Sequence, residues 1–338
     1  MTMRIAGVVS CVPSRRIDNT VFTERFGEAA VNDVVKMIGV QTRYWTDANT
    51  TTADLCYQAA ARLLEGVAWA HDTIDGLIFI TQTPDYRLPA TACDLHGRLG
   101  LKPTCVAFDV NLGCSGYVYG LWLASTLLQS SCRRVLLLVG DTSSKLIDPE
   151  DRSTAILFGD AGTATAIERG EPVDRVSFVL GTDGAGARNL MVPEGGYRPW
   201  QADDPRIEGK NPRCVFMDGG EIFNFSLRSV PPLINEVLSL HGSSNEEIDA
   251  FLLHQANLFM LKHIGKKAKI PVDRMPVNIN DYGNTSSASI PLLLTTVCRE
   301  RVAARAARLL LAGFGVGYSW AAAIVDLRSD IYVQTVTM

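Results

Sequence analysis

Cys114 lies in Phe108-Asp-Val-Asn-Leu-Gly-Cys-Ser-Gly-Tyr-Val-Tyr-Gly120, between a short apolar run (105–110) that reads as a strand and a longer one (117–128) that reads as a helix. A thiol at that junction faces the unpaired N–H groups and positive dipole end of the helix, which favour thiolate over thiol. It is a nucleophile in need of a base. Two further residues occupy turns of the same kind. His254, in Leu252-Leu-His-Gln-Ala-Asn257, follows an apolar strand and precedes a helix, where α/β folds carry working residues. Asn284, in Tyr282-Gly-Asn-Thr-Ser-Ser-Ala-Ser289, opens a helix. Taken singly, each has a plain structural reading: a buried cysteine as a small hydrophobe, a histidine as a hydrogen-bonder, an asparagine as a helix cap. A cysteine, a histidine and an asparagine at three strand-to-helix turns make chance a poor explanation. His71, His96, His241 and His263 have no motif around them.

The elements that must position these residues alternate along the chain. In the first half, strands are expected over 4–12, 75–81, 105–110, 134–140 and 161–168, with helices over 20–26, 31–40, 53–69, 90–99 and 117–128. In the second half, strands are expected over 175–181, 249–253, 275–279, 308–312 and 319–327, and helices over 220–240, 258–268 and 285–304. A Gly-, Pro- and Arg-rich stretch, 183–217, is the candidate for a substrate-covering excursion. The shared order of elements reads as an internal duplication, 1–172 carrying the cysteine and 173–338 carrying the histidine and asparagine. Strands separated by helices imply two mainly parallel sheets with right-handed crossovers. Packed on shared helices, the halves bring Cys114 near Asn284.

Composition excludes several classes of function. A hydrophobic fraction of 47% and a charged fraction of 20% describe an ordinary globular chain, and a net charge of −4 leaves no basic footprint for nucleic acid. Eight cysteines scattered without CxxC pairs argue for reduced thiols and the cytosol rather than disulfides or a metal site. The first apolar run is too short for a signal peptide, and none reaches the roughly 18 residues of a membrane span.

Five motifs, Ala107-Phe-Asp-Val with Cys114-Ser-Gly, Phe158-Gly-Asp-Ala-Gly162, His254-Gln-Ala-Asn-Leu258, Gly283-Asn-Thr-Ser-Ser-Ala-Ser289 and Gly313-Phe-Gly-Val-Gly-Tyr-Ser-Trp320, make the chain resemble the thiolase-fold condensing enzymes. The resemblance is specifically to β-ketoacyl-acyl-carrier-protein synthase III, over almost the full length. It implies a duplicated α/β fold layered αβαβα. It also implies a reaction in two stages. Cys114 takes an acyl group from a thioester; a malonyl thioester then loses CO₂, with His254 Nε2 and the Asn284 side-chain N–H holding the enolate oxygen. The carbanion attacks acyl-Cys114, whose oxyanion rests on the backbone N–H groups of Cys114 and Val316. The implied substrates are acyl-coenzyme A or acyl-carrier thioesters, with no metal or bound cofactor, and the implied assembly is a homodimer.

The chain departs from that family at several positions. Gly315-Val-Gly317 replaces a usual run of three glycines. Asp33 and Met37 stand where an adenine-stacking pair is usual, while Arg152, in the loop expected near the nucleotide, is retained. Gly220 replaces a customary Asn near the pantetheine arm. Phe259 replaces a carrier-docking basic residue, although Lys262, Lys266, Lys267 and Lys269 keep the following helix basic. Leu88 stands where the partner subunit's aromatic residue closes the acyl pocket. These changes point to a specialised paralogue with a different acyl preference. Two other readings are an acyltransferase in which His254 is a general base passing the acyl group to an alcohol or amine, and a silent subunit of a heterodimeric synthase; the intact Cys, His and Asn speak against the second.

Overall fold

The computed structural model describes residues 2–199 and 204–338; Met1 and residues 200–203, the latter within the expected 183–217 excursion, lie outside the described residues. Two sheets organise the chain. The larger has six strands, in spatial order Tyr332–Thr337, Met3–Val12, Asp160–Arg169, Arg134–Thr142, Gly76–Ile80 and Val106–Val110. The smaller has four: Ala250–Leu253, Ala307–Gly315, Ser319–Leu327 and Ser177–Thr182.

Both sheets are covered on both faces, which is why strands such as Gly76–Ile80 and Leu136 to Val139 are continuous apolar runs and are fully buried. Between the sheets lie the helices Gly116–Leu128 and Ser289–Thr296. The first carries no charged residue, as a helix buried all round requires. Helices Thr52–Gly66 and Thr91–Arg98 cover the outer face of the large sheet. Gly219–His241 and Leu258–Lys267 cover the outer face of the small one. The result is the expected αβαβα layering.

Several details differ from the sequence expectation. Both sheets are mixed, but parallel pairing predominates only in the larger, where three of five pairings are parallel. In the smaller, one of three is parallel, because the short turn Val316-Gly-Tyr318 joins its two long strands and a turn that short permits only antiparallel neighbours. The expected strand at 275–279 is absent: Pro276 has no N–H to give a ladder, the Asn278 N–H is taken by the Gln255 side chain at 3.2 Å, and Ile279–Tyr282 is a helical turn. The helix expected over 285–304 is broken into a 3₁₀ turn and two helices, Ser289–Thr296 and Arg299–Ala304. At the break, Thr296 Oγ1 donates back to Leu292 O at 2.6 Å. The strand Tyr332–Thr337 was not anticipated; it returns from the second half to pair in parallel with Met3–Val12 of the first.

Candidate active site

Cys114 sits just before the Gly116–Leu128 helix, after the strand Val106–Val110. The sharp turn is closed by the Gly116 N–H donating to Gly113 O at 2.7 Å. His254 is carried by the end of Ala250–Leu253, its N–H donating to Ala312 O at 2.8 Å, so the small sheet fixes its backbone. Asn284 is bracketed by the Phe158-Gly-Asp-Ala motif: its N–H donates to Leu157 O (2.9 Å), and the Gly159 N–H donates to its carbonyl (3.0 Å). That is the structural reason for the second motif. Asp160 secures the bracket in turn, accepting from the N–H groups of Ser144 and Thr46, both at 2.8 Å.

All three side chains are buried, Cys114 at 8%, His254 at 1% and Asn284 at 5% exposure. They line one small cavity of about 70 Å³ whose walls include Phe158, Met217 and Phe314. Cys114 also lines a second, larger cavity of about 990 Å³, bounded by Gln82, Asn111, Asp141, Leu146, Val215 and Val316 among others. The thiol thus stands at the junction of a tight chamber, which holds the histidine and asparagine, and a wide one.

Burial dominates the electrostatics. It pushes the Cys114 thiol up to about 11, against a hydrogen bond from the Val316 backbone N–H. Desolvation of the thiolate thus works against the helix end, whose dipole favours it. Burial also pushes His254 down to about 3, so the imidazole is neutral at physiological pH. Its Nδ1 lies 2.7 Å from Ser289 Oγ, and Phe314 packs edge-on against the ring. The Asn284 amide is oriented by the Ser286 N–H, which donates to Oδ1 at 2.9 Å, leaving Nδ2 only a long contact with Ala256 O at 3.4 Å.

Val316 lines the large cavity together with Cys114. The strained positions of its loop are Gly315 (φ 156°) and Gly317 (φ 139°), both still glycine. A Cβ on Gly315 would fall 2.8 Å from Cys114 Sγ. Replacing the central glycine by valine thus leaves the backbone turn intact.

The four expected substrate-contacting residues do not line either cavity. Leu88 is 78% exposed, at the end of a loop whose Arg87 lines the large one. Phe259 and Gly220 are exposed neighbours of Met260 and Gly219, which line the small one. Arg152 is exposed at the start of a short helix capped by Asp151. The sequence reading missed Asp141, Ser286 and Ser289. An acidic residue ending the buried run Leu136 to Gly140 was a signal for the first, and the serines stand inside the Gly-Asn-Thr-Ser-Ser-Ala-Ser motif itself.

A duplicated αβαβα fold with cysteine, histidine and asparagine converging on one chamber defines a condensing enzyme of the thiolase type. Comparison with known proteins narrows the class. Models of the two parts of 3-oxoacyl-[acyl-carrier-protein] synthase III match residues 108–184 and, for its C-terminal part, 238–327. The β-ketoacyl-[acyl-carrier-protein] synthase III of Caldanaerobacter subterraneus is 33% identical, with 95% of this chain and 96% of that one covered. The crystal structure of a 3-oxoacyl-(acyl-carrier protein) synthase from Burkholderia xenovorans LB400 superposes with a TM-score of 0.99 at 55% identity, covering 100% of this chain and 97% of the other. The priming β-ketosynthase of the R1128 polyketide pathway superposes with a TM-score of 0.85 at 26% identity, covering 97% and 96%. The chain belongs to the 3-oxoacyl-[acyl-carrier-protein] synthase III family.

Proposed function

We propose that Cys114 accepts an acyl group from a coenzyme A or carrier-protein thioester, and that the acyl enzyme then condenses with a malonyl thioester with loss of CO₂. The observation that carries this reading is the neutral His254 beside Asn284 in the chamber that Cys114 closes. Ser289 Oγ lies 2.7 Å from His254 Nδ1, and with the serine donating there the ring hydrogen resides on Nε2. Nε2–H and the Asn284 Nδ2–H then act as two donors for the enolate oxygen, each worth roughly 3–4 kcal/mol in the transition state. A second pair, the N–H groups of Cys114 and Val316, suits the oxyanion formed when the carbanion attacks the acyl-sulfur carbonyl. The chemistry draws on these groups and the thioester alone, with no metal or resident cofactor. An imidazole pushed down to about 3 is a poor general base, which weighs against acyl transfer to an alcohol or amine.

The reading extends to surroundings. The exposed Phe259, in tilted ring contact with His263 and Phe223 and on the same helix as Lys262 and Lys266, suits an acidic carrier protein. The exposed Leu88 suits a homodimer in which each copy supplies this residue to its partner's large cavity. All eight cysteines are free thiols, the state that the cytosol maintains, and no helix among the described residues is long and apolar enough to cross a membrane. The changes at Leu88, Phe259 and Gly220 suit a specialised paralogue.

Intact-mass spectrometry after incubation with a panel of acyl-coenzyme A and acyl-carrier thioesters tests the first stage. The expected result is a gain of one acyl mass that is lost in Cys114→Ala, followed by CO₂ release on adding a malonyl thioester. Absence of any adduct across the panel would remove the covalent mechanism.

A further inference from the structure

Asp141 lies near the end of the strand Arg134–Thr142 and is 1% exposed. Its carboxylate accepts four hydrogen bonds. Oδ1 takes the Gln82 N–H (2.7 Å) and Thr81 Oγ1 (3.2 Å), and Oδ2 takes Ser287 Oγ (2.6 Å) and the Ser287 N–H (3.2 Å). Two of the donors belong to the first half of the chain and two to the second, so one buried group joins the wall of the large cavity to the turn that carries Asn284.

Ser287 follows Asn284 by three residues, and the two are anchored separately. The Asn284 backbone is held by Leu157 and Gly159, whereas Ser287 is held by Asp141 through both its N–H and its hydroxyl. Thr285 and Ser286 must bridge these anchors. Ser286 does so with a left-handed backbone (φ 49°), a conformation that a non-glycine residue holds only where the surroundings impose it. Its N–H then donates back to Asn284 Oδ1 at 2.9 Å. Because a carboxamide is planar, fixing Oδ1 also fixes Nδ2, which is turned toward Ala256 on the wall of the small chamber.

We propose that Asp141 is a positioning residue for the condensation step. It pins Ser287, the pinned Ser287 holds Ser286 left-handed, and Ser286 aims the Asn284 amide at the enolate oxygen. This rests on the reading of Asn284 as a donor to that oxygen. Asp141 also lines the large cavity, but each of its oxygens already accepts two hydrogen bonds, so it acts through Ser287 and not on the substrate.

A role confined to holding the fold together would slow the enzyme whatever stands at position 284, whereas a role exerted through Asn284 vanishes when that amide is removed. The measurement is CO₂ release from a malonyl thioester by enzyme whose Cys114 is fully acylated, as checked by intact mass. Asn284→Ala should slow this step at least about 100-fold. Asp141→Ala, which removes both acceptors, should also slow it about 100-fold in the wild-type background, but by less than about threefold when added to Asn284→Ala. Glycine enters the left-handed region without the cost that serine bears, so Ser286→Gly added to Asp141→Ala should recover about tenfold of the loss.

A rate within about threefold of wild type in Asp141→Ala overturns the proposal, as does an equal fall in the two backgrounds or a failure of Ser286→Gly to recover activity. Should Asp141→Ala not fold by circular dichroism, Ser287→Ala runs the same cycle, since it loses only the 2.6 Å bond and keeps the backbone one. It should cost about tenfold in the wild-type background and less than about twofold in Asn284→Ala, and equal costs overturn the proposal. Decarboxylation at the wild-type rate in Asn284→Ala alone would overturn the underlying reading as well.

Discussion

Burying an imidazole without a carboxylate partner withholds a proton that the unfolded chain accepts. For His254 the unfolded pKa is near 6.5 and the folded one about 3, so above pH 6.5 neither state carries the proton and nothing is lost. As pH falls below 6.5 the unfolded state gains the proton first, and stability declines by about 1.4 kcal/mol per pH unit until the folded pKa is reached. Urea titrations at pH 7 and pH 5 should therefore differ by about 2 kcal/mol, and His254→Asn should remove most of that difference. His241, also pushed down by burial and bonded to Ser177 Oγ at 3.0 Å, shares the window and accounts for the remainder. Carboxylates held low by hydrogen bonds and cations, such as Asp54 and Asp75, lose their contribution only at lower pH, beneath their ordinary range near 3.8. A slope between pH 7 and 5 that is undiminished in His254→Asn would show that this imidazole is not neutral in the folded protein.

The elements that hold the triad were legible to different depths. The Cys114 turn, the His254 turn and the Asn284 turn were each marked by a change from an apolar run to a Gly-, Ser- or Asn-rich junction, and such junctions are written locally. The links between them are not local. Gln255 is the clearest case: its Nε2 donates to Leu253 O at 2.8 Å and its Oε1 accepts from the Asn278 N–H at 3.2 Å, so one buried amide ties the histidine turn to the segment that leads into Asn284. The same bond explains why 275–279, which has the composition of a strand, does not join a sheet. Gln255→Ala should leave a buried carbonyl and a buried N–H unpaired, costing about 2–4 kcal/mol in urea unfolding. Because the amide supports only the His–Asn side of the site, decarboxylation by the acyl enzyme should fall at least about tenfold and Cys114 acylation by less than about threefold. Equal losses in both steps would mean that the link does not distinguish the two chambers.

At the scale of the whole molecule, duplication was readable because periodicity repeats, whereas the crossing of the last strand into the first half was not. Tyr332–Thr337 is rich in the β-branched residues that strands favour, but nothing in its own residues names Met3–Val12 as its neighbour. What lies outside one chain is the further step. Arg87 and Gly195, which hydrogen-bond each other, line the large cavity, and the adjacent Leu88 is exposed to solvent. A second copy related by a two-fold axis would exchange this residue with the first, each closing the other's acyl chamber. Sedimentation should then give a particle of twice the 36.8 kDa chain. Leu88→Ala should shift acyl preference toward longer chains, by roughly fourfold in kcat/KM per added methylene at about 0.8 kcal/mol each. The decisive experiment mixes Leu88→Ala with Cys114→Ala and isolates the hybrid. In it the one intact Cys114 receives Leu88 from the partner, so its acyl preference should return to that of the wild type. A hybrid that keeps the Leu88→Ala preference would place Leu88 against its own chain's cavity, and a sedimenting monomer would remove the exchange altogether.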